Sequence, residues 1–324
     1  FNRVFRAGVL RAGSACQRLA HRVASVMPDA LMKLVPAHEL LDSPMPAAPA
    51  ETLRDKLPAC KDNQALSFKP EGPAKSAVFY FPGCGSERLF SDISMASLYL
   101  LIKTGNQVVL PPPFLCCGFP AFVNADRERH SRIVLHDTIV FSQIRDMFRY
   151  LRFDACVVSC GTCMESLRTI GLDTIFGCPL RDVSDFVFSG NRKLPGGGAE
   201  AVYHAPCHDS LAGGGRALLE RCGAGRVESV PHCCSEAGTL ALSRPDISSS
   251  MLKRKADALK SATEKAGTKL VLTNCPSCIQ GLGRNRPWGV EPRHLAVEFA
   301  QRLGGAGWME ELQSFVKTAE VTTF

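Results

Sequence analysis

Five cysteines in the order C, CC, CxxC occur twice in this chain, and each group follows a short apolar run. The first copy reads "SAVFYFPGC", "NQVVLPPPFLCCG" and "DACVVSCGTC"; the second reads "EAVYHAPC", "GRVESVPHCC" and "TKLVLTNCPSC". Equivalent cysteines are offset by 123 residues at Cys84/Cys207, by 117 at Cys117/Cys234 and by 115 at Cys160/Cys275. The offset shrinks while the order of elements holds, as expected for one structural unit used twice with shortened loops.

The apolar runs are short and rich in β-branched residues, which reads as buried strands. Between them lie helical patterns: "SDISMASLYLLIKTG", then "NADRERHSRIVLHDTIVFSQIRDMFRYL", whose counterpart is "RPDISSSMLKRKADALKSATEKAG". Strands alternating with such helices predict an α/β fold of two pseudo-repeated units. Each would be a small parallel sheet flanked by helices, with right-handed crossovers. Every cysteine group then falls at the carboxyl end of a parallel strand, the edge where open α/β sheets bind ligands.

Adjacent cysteines suit neither a mutual disulfide, which would strain the peptide between them, nor two corners of one zinc tetrahedron. A centre with several metal atoms fits them better. Each CxxC sits at a strand-to-helix turn, where the positive end of the helix dipole favours thiolate. A zinc site or a thioredoxin-like CxxC pair would explain part of each set and leave the double cysteines idle.

Fifteen cysteines, an odd number, do not form a closed disulfide framework in a chain of 324 residues, so thiolate–metal chemistry in a reducing compartment is the leading class. The net charge of +7 is spread along the chain without a dense basic tract, which argues against nucleic-acid binding. No apolar run approaches the ~20 residues that cross a bilayer. The opening 28 residues carry five arginines and no acid before Asp29. They read as an amphipathic helix packed on a neighbouring domain, with a transit peptide or membrane-surface helix as the alternatives. Because the first residue is Phe1, the chain is expected to be a fragment or a processed product. The organisation expected is a helical segment and Pro/Ala-rich linker over 1–76, cysteine-rich domains over 77–189 and 200–304, and a helical tail over 305–324.

At "FPGC", "CCGFP", "SCGTC", "YHAPCHDSL", "CCSEAGTLALSRPDI" and "TNCPSC" the chain resembles the cysteine-rich CCG-domain family, over about Ala77 to Gly304. That family includes the cysteine-rich component of heterodisulfide reductase and the iron–sulfur subunits of glycolate oxidase and lactate-utilisation systems. The resemblance implies one or two [4Fe–4S] clusters, non-cubane in the heterodisulfide reductase relative. The ligands it implies are Cys84, Cys116, Cys117, Cys160 and Cys163 for one, and Cys207, Cys233, Cys234, Cys275 and Cys278 for the other. The opening "FNRVFRAG" resembles the stretch after a ferredoxin-type domain, so the chain is expected to be the C-terminal part of a FAD-linked D-lactate or glycolate dehydrogenase.

On this expectation electrons pass from a flavin, in an upstream domain or a partner, toward quinone or another acceptor. Ferredoxin-type and flavoprotein domains would be the partners, in the cytoplasm or at the inner face of the membrane. Disulfide reduction at a cluster, as in heterodisulfide reductase, is the alternative, and a zinc-stabilised scaffold the third. One departure from the family pattern is Ser235, where a glycine is expected.

Cys16, Cys60, Cys156, Cys178 and Cys222 fall outside the repeat and read as small buried hydrophobes. His204, His208 and His232 flank the second set and read as supporting or core residues rather than ligands. "AGGGR" at 212–216 lacks a phosphate-binding fingerprint and reads as a turn. Glu165 and Glu236, beside the CxxC and CC groups, read as solvated, and no catalytic residue is assignable from sequence.

Overall fold

The structure is a computed structural model that describes residues 3–32, 41, 45–190, 194, 195, 199–236, 240 and 244–324. Part of the "CCSEAGTLALSRPDI" stretch, at 237–239 and 241–243, lies outside them, as does part of the expected helical and linker segment 1–76, at 33–40 and 42–44.

Among the described residues the strands are β1 Gln64–Phe68, β2 Ser76–Phe81, β3 Asn106–Leu110, β4 Phe153–Val158, β5 Leu180–Asp182, β6 Ala201–Tyr203, β7 Val227–Ser229, β8 Leu270–Thr273, β9 Glu291–His294 and β10 Glu320–Thr323. They form two sheets, ordered β10-β1-β3-β2-β4-β5 and β7-β6-β8-β9. The run β3-β2-β4-β5 is parallel throughout, and so is β7-β6-β8-β9. The two repeats therefore share one strand order, and the α/β class with parallel sheets follows the sequence pattern.

Two stretches do more than expected. The segment placed in the linker contains β1, and the tail ends in β10 after its helix Trp308–Val316. β1 pairs antiparallel with both β3 and β10, so the first sheet gains two strands that the second lacks. Neither strand was legible, because each is short and finds its partners far away in sequence.

Pleating divides β1, β2, β3, β4, β6 and β8 between two cores. Val78 and Tyr80 of β2, Tyr203 of β6 and Leu272 of β8 face a core shared with helices Ser91–Lys103 and Leu295–Gly304. Helix Ser91–Lys103 is buried on nearly all sides, its apolar residues joined by Ser91, Ser94 and Ser97, whose hydroxyls bond to backbone carbonyls. Phe79 and Phe81, Val202 and Val271 face a second core, which contains Cys117, Cys160, Cys163, Cys234, Cys275 and Cys278. The N-terminal helix Arg3–Ala24 is fastened to the segment that follows it: Ser14 Oγ donates to Pro46 O at 2.6 Å and Arg11 Nε to Pro49 O at 3.1 Å. Among the described residues no helix is long and apolar enough to cross a membrane.

Candidate metal centre

Parallel pairing puts the carboxyl ends of β2, β3 and β4 on one edge, and those of β6, β7 and β8 likewise. Cys84 follows β2, Cys116 and Cys117 follow β3, and Cys160 follows β4 as the N-cap of helix Gly161–Ile170. Cys207, Cys233, Cys234 and Cys275 hold the equivalent places, with Cys275 the N-cap of helix Pro276–Gly283. The two caps share an extended backbone, φ −155° and ψ 125° at Cys160 against φ −137° and ψ 124° at Cys275.

All ten cysteines are free thiols and join in series. Cys84 Sγ lies 3.8 Å from Cys116 Sγ; Cys116 interacts with Cys117, Cys117 with Cys163, and Cys163 with Cys160. In the second repeat Cys207 Sγ lies 3.6 Å from Cys233 Sγ, and the series continues through Cys234 and Cys278 to Cys275. Cys160 and Cys275 also interact with each other, so the sets meet at the two helix caps.

Proton sharing follows. The Cys116 thiol is pulled down by donation from Cys117 and then Cys84, Cys160 by Cys163 and then Cys275, and Cys234 by Cys233 and then Cys278. Their donors Cys84, Cys117, Cys163, Cys233, Cys275 and Cys278 are pushed up. Thiolates held this way are the form a metal needs. Most of the sulfurs are buried, while Cys207 is exposed.

Close packing holds the edge. A Cβ on Gly83 would stand 2.7 Å from Cys163 Sγ, and one on Gly281 would stand 2.3 Å from Cys234 O. Gly118, after the first double cysteine, is left-handed at φ 81°, and Ser235, after the second, adopts the same region at φ 70°. The expected glycine is absent, yet its conformation is kept. The repeats also interlock: a Cβ on Gly161 would stand 1.6 Å from the His208 carbonyl oxygen, while Gly85 faces Pro276 across the equivalent contact.

Of the histidines, His204 is buried and shares a site with Cys234 and Cys278, one ligand atom from each lying within 4.8 Å of the others. His208 pairs through Nδ1 with Glu165 of the other repeat and meets the Phe119 ring edge-on. Exposed His232 contributes its carbonyl to Lys255. Glu165 is therefore paired rather than merely solvated. Glu236 is paired too, at 2.7 Å from Arg284, and burial pushes its carboxyl up to about 7. "AGGGR" runs from a turn into helix Gly215–Arg221, where a Cβ on Gly215 would strike the Tyr203 ring at 2.1 Å. Cys156 and Cys178 form a separate buried pair with Sγ atoms 3.7 Å apart.

Four residues near the sulfurs escaped sequence reasoning. Arg54 and Glu87 form a buried ion pair, and Glu87 Oε2 accepts from the Phe114 amide at 3.0 Å, steadying the loop before Cys116. His294 caps helix Leu295–Gly304 and reaches Ser159. Lys255 had a visible signal, a lysine within the apolar stripe Leu252, Ala256, Leu259 and Ala262 of its helix.

The donor set suits an iron–sulfur centre: soft thiolates, more than zinc's four ligands, at a closely packed edge, beside a buried imidazole that interacts with Cys234. The sequence profile of the family described as "Cysteine-rich domain" (CCG) matches residues 78–168 and 201–283. Lactate utilization protein A of Exiguobacterium sp. is 27% identical over 229 residues, covering 64% of this chain and 88% of that protein. A component of the fumarate reductase (CoM/CoB) of Methanothermobacter marburgensis is 26% identical over 216 residues, covering 63% of this chain and 41% of that protein. The chain thus matches less than half the length of this second relative. A protein of Bacillus subtilis named "Probable glycolate oxidase iron-sulfur subunit" is 25% identical over 117 residues, covering 35% of this chain and 25% of that one.

Proposed function

Because this chain belongs to the cysteine-rich CCG-domain family, we propose that it is the iron–sulfur electron-transfer part of a flavin-linked 2-hydroxy acid dehydrogenase. D-lactate and glycolate are the substrate class. The flavin lies upstream or in a partner, a ferredoxin-type domain accompanies it, and quinone or another acceptor takes the electrons.

One observation carries this reading: each set of five cysteines gathers at the carboxyl edge of its parallel sheet, with Cys84 and Cys116 Sγ atoms 3.8 Å apart in one, Cys207 and Cys233 3.6 Å apart in the other, and Cys160 and Cys275 as equivalent helix caps. Cys84, Cys116, Cys117, Cys160 and Cys163 would hold one [4Fe–4S] group, and Cys207, Cys233, Cys234, Cys275 and Cys278 the other. When bound, these groups supply one-electron carriers. The chain's own part is to fix their spacing, bury them and set the hydrogen bonds that tune them.

A second reading, reduction of a disulfide at the second centre, is supported by the exposure of Cys207, which leaves that end open to a substrate.

Iron, sulfide and zinc content of anaerobically purified protein, with electron paramagnetic resonance (EPR) on the same sample, tests both readings. About eight irons per chain is expected, at four per cluster. About four would restrict the assignment to one set, and stoichiometric zinc without iron would replace it with a structural role. Turnover of a small disulfide by the loaded protein, with no need for a flavin partner, would favour the second reading.

A further inference from the structure

The two sets match in cysteine order but not in what stands behind them. Lys255 is fully buried on helix Pro245–Ala266, and its ammonium has three acceptors: His204 Nδ1 at 2.9 Å, Pro231 O at 2.8 Å and His232 O at 3.1 Å. An ammonium only donates, so Nδ1 of His204 accepts and the ring hydrogen sits on Nε2. That Nε2 is buried and serves the sulfur side, on a ring that interacts with Cys234 and shares its site with Cys278. Burial pulls the Lys255 ammonium down to about 8, and the charges of Cys234, Cys278, Cys233 and Cys207 act against that and favour its charged form.

The first repeat carries different chemistry at the same places. His204 stands three residues before Cys207, and Phe81 three before Cys84, where it packs edge-on against Phe141 at 5.9 Å. Lys255 is the eleventh residue after the N-cap Arg244, and Asp137 the eleventh after the N-cap Asp126. Asp137 is buried, acts on Cys116, has one oxygen unpartnered and meets the exposed His136 with the other. Arg88 also acts on Cys116, so a cation and a carboxyl both bear on that cysteine of the first set. Arg284 beside the second set is answered by Glu236. A carboxylate, Asp209, acts on His204, while the charges that act on Lys255 itself are those of the cysteines.

We propose that His204 and Lys255 form a donor–cation pair that stabilises the reduced state of the cluster held by the second five cysteines, giving that centre a higher reduction potential than the first. The proposal rests on the iron–sulfur reading above. Reduction adds one negative charge to the cluster. A hydrogen bond to its sulfur and a buried cation both lower the energy of that added charge. Asp137 adds nothing to the first centre when protonated and opposes its reduction when ionised. An electron shared between the two centres therefore rests on the second.

The test is a dithionite titration of the anaerobically purified full chain, with mediators present and EPR recorded at each potential. Iron and sulfide are assayed on every sample. Two one-electron transitions are expected, and loss of the higher one in Cys278→Ser assigns it to the second set. In Lys255→Met and in His204→Phe the higher transition falls by at least tenfold in equilibrium constant, 59 mV for one electron, while the lower transition stays. His204→Phe copies Phe81 and keeps the test open where Lys255→Met loses iron. Coincident wild-type transitions, an unmoved higher transition, or an equal fall of both would overturn the proposal in protein that holds its iron. Protein without iron and sulfide would instead overturn the iron–sulfur reading itself.

Discussion

His294 Nε2 lies 3.1 Å from the carbonyl oxygen of Ser159, 135 residues upstream and in the other repeat. Its Nδ1 accepts from the Ala296 amide at 3.1 Å, so the hydrogen is on Nε2 and the ring donates across the junction beside Cys160. The equivalent cap in the first repeat, Asp182, accepts from Ser210 of the second at 2.5 Å. Each repeat thus extends its last helix cap into the other, and the cysteine edges are aligned by reciprocal bonds.

Burial drives the His294 pKa down from 6.5 to about 4. The unfolded chain therefore binds more protons than the folded one between these values, and stability falls as pH drops from about 6.5 toward 4. The shift is worth about 3 kcal/mol. Asp182 acts in the opposite sense: burial raises it from 3.8 to about 6, so its contribution improves as pH falls through that window. The two offset in the wild type, and a variant separates them. Urea unfolding of His294→Gln and wild type is expected to show the wild-type advantage shrinking by about 3 kcal/mol between pH 7 and pH 4. A difference that does not change with pH would remove His294 from the account.

Gly161→Ala is expected to unfasten the repeats. The new Cβ would overlap the His208 carbonyl oxygen, 1.6 Å away, and neither backbone has a flexible end to yield. A cost of roughly 3 kcal/mol or more is expected, with Cys207 displaced and iron lost from the second set. Gly13→Ala is the control. It lies inside helix Arg3–Ala24 with nothing within 4 Å of its Cβ position, and it is expected to add up to about 1 kcal/mol. Equal stability of the two variants in thermal unfolding would contradict this packing.

Ser235→Gly is expected to stabilise the fold. At φ 70° a side chain costs about 1–2 kcal/mol relative to glycine, and the Ser235 hydroxyl is buried without a partner. Greater freedom of glycine in the unfolded chain returns roughly 0.5–1 kcal/mol. The net expectation is a gain of about 1 kcal/mol, read as a melting temperature higher by a few degrees, with unchanged iron content. A lower melting temperature would mean that the hydroxyl has a role in the second site.

Much of this architecture was legible in the cysteine repeat. The runs before each cysteine group became β2, β3, β4, β6, β7 and β8, and their order put every group on one edge of its sheet. β5 and β9 were not legible, because Leu180–Asp182 and Glu291–His294 are short, and the latter is polar and contains a proline. Nor was the contact of Cys160 with Cys275 readable: each cysteine is visible alone, but their meeting depends on how the two repeats pack. Buried charges were the largest omission. A sequence shows Lys255 or Glu87 only as charged residues, while the three-dimensional fold decides that each is enclosed and what answers it.

Glu87 gives that lesson a measurable form. Its side chain is 2% exposed and pairs with Arg54, itself 5% exposed, which also donates to Pro111 O at 2.8 Å and Pro112 O at 3.3 Å. The segment before β1 is thereby locked onto the loop that delivers Cys116, and the Phe114 amide closes the arrangement on Glu87 Oε2. Glu87→Ala leaves the guanidinium buried without its carboxylate and the amide without its acceptor, a loss of about 3–5 kcal/mol. The double variant Arg54→Met/Glu87→Met removes both charges and should recover part of that loss. Because the loop leads to Cys116 and Cys117, Glu87→Ala is expected to deplete iron from the first set and leave the second loaded. Urea unfolding and iron analysis of the single and double variants give the coupling. Strictly additive effects, or an even loss of iron from both sets, would show that the pair does not hold the loop.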